Sequence, residues 1–72
     1  MYKTHFAEKL KAARKNAGYN QQQIEDILGI NRTTLSRYES GQREPDIETL
    51  GKLADFYEVS LDWLVGTKGN NK

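Results

Sequence analysis

An all-α fold, a compact bundle of five short helices, is predicted by three observations on this chain of 72 residues. Apolar residues recur at intervals of three and four in its longer segments, the spacing of one helical face. Asparagine, aspartate or serine stands where later helices would open, and glycine stands where most helices would close. Cysteine is absent, so no disulfide or thiolate metal site can staple the core and stability has to come from helix packing. No strand and no internal repeat is expected.

Phe6, Leu10, Ala13 and Ala17 share one face of a first helix from about His5 to Asn16, with Gly18 at its end. Asn20 caps a second helix, Gln21 to Leu28, with Gln23 as capping-box partner and Tyr19 and Ile24 as a staple. Gly29 can take the positive φ that reverses the chain, and Asn31 caps a third helix, Arg32 to Ser40, with Ile30 and Leu35 as its staple and Gly41 at its close. Two short helices joined by only Gly29, Ile30 and Asn31 form a helix-turn-helix. After a polar loop, Asp46 caps a fourth helix ending near Glu58, whose apolar face is Ile47, Leu50, Leu53, Ala54 and Tyr57. Gly51 inside it suggests a close neighbour. Ser60 caps a last helix, Leu61 to Val65, stapled by Val59 and Leu64 and stopped by Gly66. Residues 1–66 thus form one domain, and the polar tail 67–72 is expected to be disordered.

The third helix carries the chemistry. At about 100° per residue, Leu35 and Tyr38 fall on one side, and Arg32, Thr33, Ser36, Arg37 and Ser40 on the other. Arginine forks match the O6 and N7 acceptors of guanine, and threonine offers both a hydroxyl and a methyl to a base edge. A solvated surface helix can look the same, so the neighbouring segments decide. Charge is uneven in a way that fits DNA. Residues 1–43 hold eight Lys and Arg against four Asp and Glu, and residues 44–72 hold three against six. The halves are therefore +4 and −3, within an overall +1.

Gly18-Tyr19-Asn20-Gln21, Leu28-Gly29-Ile30-Asn31-Arg32, Leu35-Ser36-Arg37-Tyr38-Glu39-Ser40-Gly41, Arg43-Glu44-Pro45 and Val59-Ser60-Leu61-Asp62-Trp63-Leu64 together resemble the Xre/Cro-type helix-turn-helix proteins, a set of bacterial and phage transcriptional repressors and regulators. The resemblance covers nearly the whole chain. It implies a third helix in the major groove, with Arg32, Thr33 and Arg37 at base edges and Asn31 and Ser36 beside them. It assigns Gln21, assisted by Asn20, to a phosphate at the start of the second helix, and Ser40, Gln42 and Arg43 to the loop that follows the DNA backbone. It pairs Arg14 with Glu39 across the first and third helices. It also implies dimerisation through the last helix, where Leu61, Trp63, Leu64 and Val65 are more apolar than docking alone needs. The family usually has alanine where this chain has Glu25, at the closest approach of the second and third helices, so this carboxylate must snorkel or find a partner.

The expected function is a sequence-specific regulator of transcription, a repressor, acting as a homodimer on an inverted repeat of double-stranded DNA. The alternative is an interaction module, as in an antitoxin that masks a protein partner. Phage repressor, restriction-modification controller and antitoxin all stay open. An enzyme is not expected: His5 is the sole histidine, and there is no glycine-rich phosphate loop and no nucleophile elbow. No cofactor and no metal are assigned. Short apolar runs and the absence of a signal-peptide stretch point to a soluble cytoplasmic protein without membrane contact. Tyr19, Tyr38 and Tyr57 are expected in the core rather than as stacking platforms for single strands.

Overall fold

Each helix contributes one wholly buried aliphatic side chain to a common centre: Leu10, Ile24, Leu35, Leu53 and Leu64. The computed structural model describes residues 2–65, with side chains for residues 5–65. Its elements in order are α1 (Tyr2–Ala17), α2 (Gln21–Leu28), α3 (Arg32–Ser40), α4 (Ile47–Tyr57) and α5 (Leu61–Val65), with no strand among the described residues. α1 is the spine and packs against α3, α4 and α5, while α2 packs against α3 and α4 against α5. Burying a side chain such as Leu or Ile is worth about 1.5 to 3 kcal/mol, so every helix has at least one side chain whose burial ties it to the bundle.

Four of the five expected helices match their observed limits to within a residue, because local chemistry sets their ends. α1 starts at Tyr2 rather than His5, since no proline or glycine among residues 2–4 forbids the extra turn. The expected stop at Gly66 and the tail 67–72 lie outside the described residues.

Four expectations on packing are corrected. Ala17 is exposed, because α1 outruns the core there and Ala17 lines an open groove of about 430 Å³ with Asn16, Tyr19, Phe56 and Trp63. Ile47 is 73% exposed, because the first turn of α4 extends beyond the elements that cover Leu50, Leu53, Ala54 and Tyr57. Gly51 has no close neighbour: a Cβ placed on it would meet nothing within 4 Å. Ala7, absent from the expected face, is buried where α1 meets the end of α3, and a Cβ on Gly41 would lie 4.0 Å from the Ala7 Cβ. α4 ends on Glu58 in the left-handed region at φ 61°, a conformation that costs a non-glycine residue about 1 to 2 kcal/mol.

Tyr57 is buried at the edge of this core, and its hydroxyl has no hydrogen-bond partner among the described residues. Burial, and after it the Glu39 charge, pushes the phenol well above its ordinary value, with Arg14 pulling the other way. In the unfolded chain the phenol loses its proton near pH 10, while the folded state keeps it. The folded state then binds more protons, so stability falls as pH rises above about 10. Tyr57→Phe should remove this tyrosine's share of the alkaline loss and, by deleting an unsatisfied buried hydroxyl, stabilise the domain by about 1 kcal/mol at neutral pH. Thermal melts between pH 7 and 11 check both; a lower melting temperature for Tyr57→Phe at pH 7 contradicts the assignment.

Candidate nucleic-acid interface

α3 is capped by hydrogen bonds at both ends. Leu35, Tyr38 and Glu39 point inward and are buried, whereas Asn31, Arg32, Thr33, Ser36, Arg37 and Ser40 are all exposed. At the N-terminus the Asn31 Oδ1 accepts from the N–H groups of Thr33 at 2.9 Å and Thr34 at 3.3 Å. The Glu25 Oε1 accepts from the Arg32 N–H at 3.2 Å. At the other end Gly41 adopts φ 84°, which favours glycine. The N–H groups of Gln42 and Arg43 then return to the Arg37 carbonyl at 3.0 and 3.3 Å, and the Ser40 Oγ donates to the same oxygen at 3.2 Å. The loop carrying the exposed Gln42 and Arg43 is thereby tied to the end of the helix.

Behind this face lies a buried ionic cluster. The Arg14 guanidinium donates from Nε to Glu39 Oε2 at 2.8 Å and from Nη2 to Glu39 Oε1 at 3.0 Å, with both side chains almost wholly enclosed. Its Nη1 donates to the Tyr19 carbonyl at 2.8 Å. This fork geometry satisfies the guanidinium along its length, and the bond to Glu39 raises the Arg14 pKa further. Gln21 completes the cluster by donating from Nε2 to Glu39 Oε1 at 3.1 Å. One of its amide hydrogens is therefore spent inward. The amide oxygen of Asn20 is likewise engaged, accepting the Gln23 N–H at 2.8 Å within a reciprocal capping box. What the start of α2 can offer an anion is chiefly the backbone N–H groups of Gln21 and Gln22, which have no partner inside the helix. α1, α2 and α3 thus share one carboxylate, and the start of α2 is fixed relative to the outer face of α3.

The family model described as helix-turn-helix matches residues 10–64, from α1 to the end of the core in α5. The chain belongs to the Xre/Cro-like helix-turn-helix family. Among its relatives, it is 47% identical over 60 residues to the SPbeta prophage-derived uncharacterized HTH-type transcriptional regulator YonR of Bacillus subtilis, covering 83% of this chain and 56% of the relative. It is 46% identical over 59 residues to the HTH-type transcriptional regulator ImmR of the same species, covering 82% and 46%. It is 42% identical over 59 residues to the cryptic phage CTXphi transcriptional repressor RstR of Vibrio cholerae, covering 82% and 53%. The chain spans about half the length of these curated relatives. A family of DNA-binding regulators rather than of enzymes is where the sequence falls. Among the described residues no group of three His, Cys, Asp or Glu is placed to hold a metal ion, and no helix is long and apolar enough to cross a membrane.

Of the four residues that the Xre/Cro-type resemblance points to for dimer contact, the structure exposes two. Leu61 is 39% and Trp63 40% exposed, Val65 is partly buried against the core, and Leu64 is 0% exposed. Leu64 therefore belongs to the core and not to a surface another chain could reach, a correction that follows from its role as the one buried residue of α5. The Trp63 ring is held by Lys9, whose ammonium lies 5.4 Å from the ring centroid and donates to the Trp63 carbonyl at 3.0 Å. Sequence patterning missed Lys9, because a lysine on α1 and a tryptophan 54 residues later carry no periodic signal.

Proposed function

We propose that the chain is a sequence-specific double-stranded DNA-binding regulator of transcription, a repressor, that binds an inverted-repeat operator as a homodimer with α3 in the major groove. The observation that carries this reading is the outer face of α3: Arg32, Thr33, Ser36 and Arg37 exposed together on a helix capped at both ends. Held so, the side chains meet base edges without first ordering the helix. The relative RstR, named a transcriptional repressor, supports the sign of regulation. Asn31 sits beside the base-reading set, and the start of α2 and the loop of Ser40, Gln42 and Arg43 flank it as the phosphate-gripping parts. The place of action is the cytoplasm, where the DNA is.

Binding to random duplex DNA at low salt tests the reading. Affinity should be weak and should fall steeply as salt rises, as counterions released by phosphate contact require. No detectable binding at low salt overturns the reading and turns the arginine face toward a protein partner.

The homodimer is expected because one short reading helix covers few base pairs. Its contact is assigned to Leu61 and Trp63, with Val65 at the edge. Trp63→Glu should shift the sedimentation profile of the operator-bound protein from dimer toward monomer and weaken operator binding. An unmutated protein that is monomeric on its operator contradicts this assignment.

A further inference from the structure

A helix leaves the N–H groups of its first turn without internal partners, and this end carries partial positive charge. In α3 the three N–H groups of Arg32, Thr33 and Thr34 are all taken, the first by Glu25 and the other two by Asn31. In α2 the cap Asn20 takes the N–H of Gln23 alone. One of the two helix openings is thus available to an anion, and the other is closed by an anion that the protein supplies. Glu25 does this from α2 while its own carbonyl accepts the Gly29 N–H at 2.9 Å, so one residue anchors both the turn and the helix after it.

We propose that Glu25 is a specificity-determining residue: its carboxylate ties α3 to α2 through the Arg32 N–H and closes the reading helix to phosphate. The proposal rests on the reading of α3 as the helix that meets base edges. Its physical content is a difference between two kinds of DNA. A carboxylate seated on the opening of α3 denies phosphate a docking mode that any duplex could otherwise use, whatever its sequence. On the operator the base contacts already fix α3 in a pose that does not use its opening for phosphate, whereas random DNA is held by phosphate contacts alone. Glu25 therefore lowers non-specific binding more than specific binding. Alanine at this position would leave the opening of α3 without the carboxylate.

Two variants separate the charge from the hydrogen bond. Glu25→Gln keeps an oxygen acceptor for the Arg32 N–H and removes the charge, and Glu25→Ala removes both. Each is titrated against a duplex recovered by selection from a random pool and against a scrambled duplex of the same composition, at several salt concentrations, alongside thermal melts of the free proteins. Both variants should bind the scrambled duplex roughly two- to fivefold more tightly, the range one charge at a helix terminus is worth. Operator binding should change by less, so that the ratio of the two affinities falls. Glu25→Ala should melt below Glu25→Gln, because only it leaves the Arg32 N–H without its acceptor. An unchanged or higher affinity ratio in both variants overturns the proposal. Failure of the unmutated protein to bind either duplex at low salt is a different result, which overturns the DNA-binding reading and the proposal with it.

Discussion

Glu39→Ala should cost the domain about 3 to 5 kcal/mol, the penalty for leaving a buried ion without its partner. Three donors converge on this carboxylate: Arg14 Nε and Nη2, and Gln21 Nε2. Removing it strands a guanidinium that is nearly wholly enclosed, with the Tyr19 carbonyl as its one remaining hydrogen-bond acceptor among the described residues. Total stabilities of natural domains are about 5 to 15 kcal/mol, with small ones at the lower end, so the variant should be largely unfolded at modest temperature. Glu48→Ala is the control, because Glu48 is exposed in the first turn of α4. Thermal and urea melts of the two variants decide the matter. Equal losses would place the Arg14 and Glu39 pair with exposed pairs, worth about 1 kcal/mol at most.

Arg37→Ala and Arg43→Ala should part company on DNA. Arg37 is exposed on the outer face of α3, where a fork can span guanine O6 and N7. Arg43 is exposed past the Gly41 turn, with its backbone tied to the end of α3, which suits a phosphate. Arg37→Ala should cost about 1 to 3 kcal/mol on the operator, relax the preference at one base pair and leave random DNA nearly unaffected. Arg43→Ala should weaken both duplexes alike and reduce the salt slope by about one for the lost contact. Titration of both variants on both duplexes across salt concentrations reads these apart. Equal loss on the two duplexes for Arg37→Ala would make it another phosphate contact.

What could be read from the sequence was whatever local chemistry decides. Asn20 and Asn31 accept first-turn N–H groups, and Gly29 and Gly41 take positive φ, so α2, α3 and the turn between them end where their residues say. The inward and outward faces of α3 follow from the same helical period. Patterning failed where exposure depends on what lies opposite. Ile47 and Ala17 have the right spacing for core positions but sit at helix ends, Ile47 largely in solvent and Ala17 on the wall of an open groove. Leu64 looked like surplus apolar area on a short helix, yet it is the residue that seats α5. Partners far apart in the chain were also invisible to spacing, as with Lys9 and Trp63 or Gln21 and Glu39. Glu25 lay between these cases. Its conflict with a tight helix contact was legible, and its resolution was within reach, since the N-terminus of α3 attracts a carboxylate seven residues upstream.

In the proposed binding mode α3 reads base edges and two copies do so symmetrically. Selection of bound duplexes from a random pool by the unmutated protein tests it most directly. An enriched inverted repeat, its half-sites centred about 10 base pairs or a multiple apart, is the predicted result. A pool that gains no sequence preference over successive rounds, while still binding in a salt-dependent way, would contradict it.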